Sequence, residues 1–211
     1  MKSQDKTKQQ IIIVDRWRVT AEVWMELAHK GNEKQSVKHV YTLHHMKNLI
    51  TINPEDNFLI IMDIITDNEK IYEGVSTLEW LCSSKNRGRC RVMVFTSITI
   101  PYVLKLIVNI SPAVLLLKKE PVGRLCNYID ILNESYGGIT ISPSAMKIIS
   151  QVQGVTLSPK EHEYLLYRLS GFDVLEVADL MKITYRNSLN YQRRITRRLK
   201  EKKSKIYLLQ E

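Results

Sequence analysis

The chain has 211 residues, 44% of them hydrophobic and 25% charged, with 31 basic against 22 acidic side chains and a net charge of +9. That apolar share supports a packed core and excludes an extended disordered chain, and the length fits one large or two modest domains. The opening MKSQDKTKQQ has no apolar signal-peptide core, and runs such as FLIIM and AVLLL fall far short of the roughly 20 residues that span a bilayer, so a cytoplasmic protein is expected.

In chain order, short β-rich runs stand at QIIIVD (10–15), VKHVYT (37–42), NFLIIMD (57–63), RVMVFT (91–96) and AVLLLK (113–118). Helix-like segments alternate with them over 17–30, 43–50, 73–83, 101–108 and 122–134. This alternation predicts an α/β fold, a doubly wound parallel sheet of five strands, over residues 1–135. Several strands are apolar without alternation, as expected when helices cover both faces. Cys82, Cys90 and Cys126 show no CxxC spacing and are expected to be buried or partly buried thiols in a reducing compartment. His44 and His45 are adjacent on a helix, point in different directions and are expected at the surface.

In such sheets function gathers beyond the C-terminal ends of the strands. Those ends carry Asp15 and Arg16 on the first strand, Asp63 on the third, Thr96 on the fourth and Lys118 on the fifth. The set resembles the receiver domain of two-component response regulators, in which the third-strand Asp accepts a phosphoryl group. A carboxylate attacking a phosphoryl group needs a divalent cation to offset charge, and Mg²⁺ is held by carboxylates and water. Receivers supply a pair of acids after the first strand; here the second position is Arg16. A guanidinium repels a cation, and it is expected to pair with Asp15 or Asp63 and take the metal's place. The loop after Asp63, IITDNEKIYEG, also lacks the Pro that commonly follows the acceptor, though Asp67 is nearby. A pseudo-receiver with a degenerate pocket, no metal and no switching by phosphorylation is the expectation.

Residues 136–155 contain Gly137, Gly138, Pro143 and Gly154 and one short amphipathic helix over 143–152, and read as a linker. The remainder, 156–211, is predicted to be all-α. Ser158-Pro159-Lys160-Glu161 is a capping box that opens a helix to about residue 170, and Gly171 is placed to terminate it. Asp173 and Glu176 open a second helix to about Met181, and Thr184 caps a third. Two short helices with a tight turn, the second one basic, form a helix-turn-helix pattern.

The segment 183–205 holds nine Lys or Arg and one acid, Glu201. On a helix, Ser188, Gln192, Ile195 and Leu199 fall on one side and Arg186, Leu189, Asn190, Arg193, Arg194 and Arg197 on the other. A solvated face would intersperse acids, and here none precedes Glu201. A wide basic face of this kind fits the phosphate backbone of DNA.

The stretch LSPKEHEYLLYRLSGFDVLEVADLMKITYRNSLNYQRRITRRL resembles the LuxR-type helix-turn-helix, over 157–209. The matching features are the L-S-P-x-E opening, the Gly171 turn, the E-V-A of Glu176, Val177 and Ala178, and the I-T…I-x-R-x-L ending. With the receiver-like half, the arrangement resembles the NarL/LuxR class of regulators, and within it the RcsA/BglJ auxiliary regulators, which pair a degenerate receiver with this domain and act with RcsB. The resemblance implies double-stranded promoter DNA as ligand, and an RcsB-like response regulator or a second copy as partner. It places Leu189, Asn190 and Arg193 at base edges and Arg186, Arg194, Arg197 and Arg198 at phosphates. The chain departs from the family at Asn187 and Ser188, where Thr-Val is usual and a core valine is lost, and at Leu189 and Tyr191, where Lys and His are usual. A short last helix over 204–210 is expected to give weak homodimer contact. No nucleophile–base pair or metal-ligand spacing stands out, so no catalytic residue, metal or cofactor is expected. Two alternatives remain beside a DNA-binding regulator with a pseudo-receiver. One is a true phospho-acceptor regulator using Asp63 as a homodimer; the other is a protein that sequesters a partner.

Overall fold

The structure, a computed structural model, describes residues 9–31, 36–133, 138–152 and 154–201. The expected helix over 204–210 lies outside the described residues. The N-terminal half runs β1 (Gln9–Val14), α1 (Arg18–Gly31), β2 (Ser36–Val40), α2 (Leu43–Ile52), β3 (Asn57–Met62), α3 (Ile71–Cys82), β4 (Cys90–Thr96), α4 (Pro101–Ile110), β5 (Val114–Leu117) and α5 (Leu125–Asn133). All strand pairs are parallel, in the order β2-β1-β3-β4-β5 with one further strand beyond.

That further strand corrects the expected count of five to six. β6 (Thr140–Ile141) pairs with β5 through Val114↔Thr140 and Leu115↔Ile141. Two residues are too few to show a period, but they satisfy backbone groups that β5 would otherwise leave open at the sheet edge. The segment read as a linker thus carries a strand and then α6 (Pro143–Ile149), capped by the Ser142 hydroxyl accepting from the Ala145 N–H at 3.3 Å. Ala145, Ile148 and Val152 are buried in the same cluster as α4.

Alternate strand residues serve opposite layers. Ile11, Ile13, Leu59, Ile61, Met93, Phe95, Val114 and Leu116 face α1 and α5, where Trp24 meets Phe95 edge-on at 5.0 Å. Ile12, Val14, Ile60, Met62, Val92, Val94, Leu115 and Leu117 face α2, α3 and α4. Both faces being covered explains the near-continuous apolar strands.

The C-terminal half is α7 (Pro159–Leu169), α8 (Val174–Leu180) and α9 (Tyr185–Glu201). Its core residues Tyr164, Leu165, Val177, Met181, Ile195 and Leu199 belong to the same buried cluster as α3 and α4. Tyr72 on α3 stacks on Tyr167 of α7 at 4.2 Å, and the Tyr72 N–H donates to the Ser170 hydroxyl at 3.0 Å. The Lys70 ammonium lies 4.1 Å from the centroid of Phe172. The Tyr102 hydroxyl of α4 is hydrogen-bonded to His162 Nε2 of α7, and Lys105 donates to the Val155 carbonyl. The helical half is therefore docked on the α3–α4 side of the sheet through α7. No helix among the described residues is long and apolar enough to cross a membrane.

Candidate nucleic-acid interface and strand-end cluster

The parallel sheet brings four of the five expected strand-end residues together. Asp15 and Asp63 are each 3% exposed, and Thr96 is fully buried. Lys118 bridges the two carboxylates, its ammonium 2.6 Å from Asp15 Oδ2 and 2.8 Å from Asp63 Oδ2. Asp63 Oδ1 accepts from the Thr96 hydroxyl and the Ile64 N–H, both at 2.7 Å. Asp15 Oδ1 accepts from the Trp17 N–H at 2.8 Å. Every carboxylate oxygen of the pair is thus engaged by a donor of the chain. Buried charges persist only when paired and hydrogen-bonded in this way.

Arg16 departs from expectation. Among the described residues it makes no ion pair with Asp15 or Asp63; its guanidinium lies 5.0 Å from the centroid of Trp17, and its buried Nε has no hydrogen-bond partner. Lys118, at the end of β5, sits between the acids instead. The receiver-like fold implies a divalent cation here, and the residues do not fit one. An ammonium lies against both carboxylates, and among the described residues no three His, Cys, Asp or Glu side chains gather as ligands.

The helix-turn-helix is built by its caps. Ser158 accepts from the Glu161 N–H while Glu161 accepts from the Ser158 N–H at 2.8 Å, opening α7. Asp173 and Glu176 repeat the pattern for α8. Gly171 takes φ +92°, a conformation that costs glycine nothing. The Thr184 hydroxyl accepts from the Asn187 N–H at 3.3 Å at the start of α9. Ser188, which stands where the family resemblance expects a valine, is fully buried and donates to the Val174 carbonyl at 2.7 Å. The lost valine contact is replaced by a hydrogen bond between α8 and α9.

With Ser188, Ile195 and Leu199 turned inward, Arg186, Asn190, Arg193, Arg194 and Arg197 are exposed and Leu189 is half-buried at the edge of the same face. Arg194 also lies 5.2 Å from the centroid of Tyr191. Arg198, which the resemblance places at phosphates, is engaged within the fold. It donates to Glu161 Oε2 at 2.7 Å and to the Thr156 carbonyl at 3.2 Å, tying α9 to α7. Burial works to raise the Glu161 pKa. The Ser158 hydrogen bonds and the Arg198 and Arg194 guanidiniums outweigh it, and the carboxyl is held below its ordinary value. No spacing rule relates Arg198 to a residue 37 positions away, so this pair was not legible beforehand; only the capping role of Glu161 was. Cys126 is exposed rather than buried, whereas burial pushes Cys82 and Cys90 up to about 11.

No known protein family matches the chain by sequence, and no curated protein does. Solved structures do resemble it. RcsB of Salmonella enterica serovar Typhimurium, bound to promoter P1flhDC in the presence of phosphomimetic BeF3-, superposes with a TM-score of 0.62 at 18% identity over 90% of this chain and 91% of that one. A complex of the two-component response regulator RcsB with DNA gives 0.59 at 17% identity, covering 92% of each chain. The isolated receiver domain of the Salmonella RcsB gives 0.55 at 14% identity over 68% of this chain and 99% of its own. At these identities the likeness is one of fold: a receiver-type parallel α/β domain followed by a helical C-terminal domain, present here along almost the whole chain.

Proposed function

We propose that the chain is a DNA-binding transcription regulator that recognises promoter DNA through α9. The observation that carries this reading is the exposed face of Arg186, Asn190, Arg193, Arg194 and Arg197, on a helix whose opposite side is locked into the fold by Ser188, Ile195 and Leu199. The turn from α8 to α9 and the RcsB–DNA complexes among its structural neighbours support it. Leu189, Asn190 and Arg193 read base edges; Arg186, Arg194 and Arg197 meet phosphates. Arg198 serves the α7–α9 contact instead. The working units are a receiver-like module over 1–135, a connecting segment over 136–155 and the DNA-binding module over 156–211, in a cytoplasmic protein with no catalytic role.

The N-terminal module is a pseudo-receiver, because Lys118, Thr96 and backbone N–H groups already take the oxygens that a metal would need. The regulator is of the RcsA/BglJ auxiliary kind and acts with an RcsB-like response regulator. A titration of duplex DNA at several salt concentrations tests the DNA-binding reading. Arg186→Ala should weaken binding to all sequences alike and lower the salt slope by about one. An unchanged slope would remove Arg186 from the interface.

A second reading, a phospho-acceptor regulator, draws on the meeting of Asp63, Thr96 and Lys118 at one sheet end. Incubation with acetyl phosphate and Mg²⁺ separates the two. The pseudo-receiver predicts no label on Asp63 and intact regulation in Asp63→Ala; stoichiometric, Mg²⁺-dependent labelling establishes the second reading.

A further inference from the structure

Residues of α9 spaced four apart form one row along the helix, because four steps turn only about 40° past a full revolution. From the first residue of α9 that row reads Tyr185, Leu189, Arg193 and Arg197. It changes character along its length: the first two members are apolar and the last two basic. Tyr185 is 52% exposed and Leu189 half-buried, while Ser188, Ile195 and Leu199 are buried on the other side. The neighbouring row, Arg186, Asn190 and Arg194, is exposed and holds no carboxylate.

Side chains on a helix lean toward its N-terminus, so Tyr185 and Leu189 project at the leading end of α9. In a recognition helix that end meets base edges in the major groove. Leucine has no polar atom to offer a phosphate, and tyrosine has only the hydroxyl at its tip. A leucine laid on guanine, adenine or cytosine covers a polar base edge and replaces none of the hydrogen bonds that water made there. Thymine alone offers an apolar group in the major groove, its C5 methyl. A ligand that covers this row must bring apolar groups beside Tyr185 and Leu189 and negative charge beside Arg186, Arg193 and Arg197. Duplex DNA brings both, with thymine methyls in the groove and phosphates along its walls.

We infer that Tyr185 and Leu189 form an apolar strip that reads the C5 methyls of two thymines. The two lie within about two base pairs of each other, since one helical turn rises about 5.4 Å against about 3.4 Å per base pair. Tyr185 thereby joins the residues that set specificity. The inference rests on the reading of α9 as a promoter-binding helix, and it names the base that the leading end of that helix selects.

Deoxyuridine keeps every hydrogen-bonding group of thymidine and lacks only the methyl, so it isolates this contact. The probe is a duplex that the full chain, with RcsB present, enriches from a randomised library over RcsB alone. It is then resynthesised with deoxyuridine at each thymine in turn. Two of these replacements should weaken binding about four-fold each, the effect of leaving one methyl-sized group unburied. Leu189→Ala should lose the sensitivity at one of the two positions and Tyr185→Ala at the other, while Tyr185→Phe, which keeps the ring, retains it. Both alanine variants should keep the salt slope of the wild type, because neither side chain meets a phosphate; the same slope shows that α9 is folded in them. A duplex whose binding is indifferent to every deoxyuridine replacement overturns the inference and leaves the promoter-binding reading standing. So does a sensitivity that survives in both alanine variants, which assigns it to other residues. A loss of binding in Tyr185→Phe equal to that in Tyr185→Ala places the Tyr185 hydroxyl at a phosphate and removes Tyr185 from the strip. Absence of any enrichment overturns the inference together with the reading on which it rests.

Discussion

Gly74 shows how much a single position can decide without any signal in the sequence. It sits in α3 where an added Cβ would lie 2.0 Å from the Ile64 carbonyl oxygen, just past Asp63. The clash is with backbone, so the helix itself would have to move. Gly74→Ala should therefore destabilise the fold by about 3 kcal/mol, despite the better helix propensity of alanine. Urea denaturation checks this; a loss under about 0.5 kcal/mol would mean that α3 shifts freely. The strand-end set was legible because Asp15, Asp63, Thr96 and Lys118 each terminate an apolar run, and parallel strands align such ends. The placement of Arg16 was not, because spacing says where a side chain starts and not where it turns. Its stacking on Trp17, and the bridging by Lys118, are outcomes of side-chain reach.

At the scale of elements, the caps of α7, α8 and α9 could be read residue by residue, because capping is local chemistry. β6 could not, because two residues carry no period. The docking of α7 on α4 was equally hidden: periodicity marks the apolar face of a helix but not what covers it. That contact has a pH dependence. His162 is hydrogen-bonded to Tyr102, and burial lowers its pKa from 6.5, opposed by Glu161 and reinforced by Lys105. A folded-state pKa below the unfolded one means that the neutral form contributes stability above about pH 6.5, lost as pH falls through the folded value. Glu161, also held low, adds a second loss in the more acidic range below about pH 4.3. The hydrogen-exchange protection of α4 and α7, taken relative to the intrinsic exchange rate at each pH, should fall between about pH 7 and pH 5, and much less so in His162→Gln, which can still hydrogen-bond Tyr102 but does not titrate. An equal fall in protection in both proteins would assign the effect to other groups.

At the scale of the molecule, the two halves were foreseeable as units, from the switch of strand-helix alternation to closely capped helices. Their union into one buried cluster through Tyr72, Tyr102 and Tyr167 was not. The docked arrangement packs α7 against α3 and leaves Arg186, Asn190, Arg193, Arg194 and Arg197 of α9 exposed among the described residues. The central claim is that this face reads sequence as well as charge. Charge alone gives binding that is tight at low salt and indifferent to sequence; direct contacts to base edges give preference. The most direct measurement is selection from a randomised duplex library by the full chain, with RcsB present, at physiological salt. The wild type should enrich a defined motif, and Asn190→Ala and Arg193→Ala should each relax it at one or two base pairs, at a cost on the order of 1–3 kcal/mol on the selected site. A library left unenriched relative to RcsB alone, or a motif identical in all three proteins, would contradict the account.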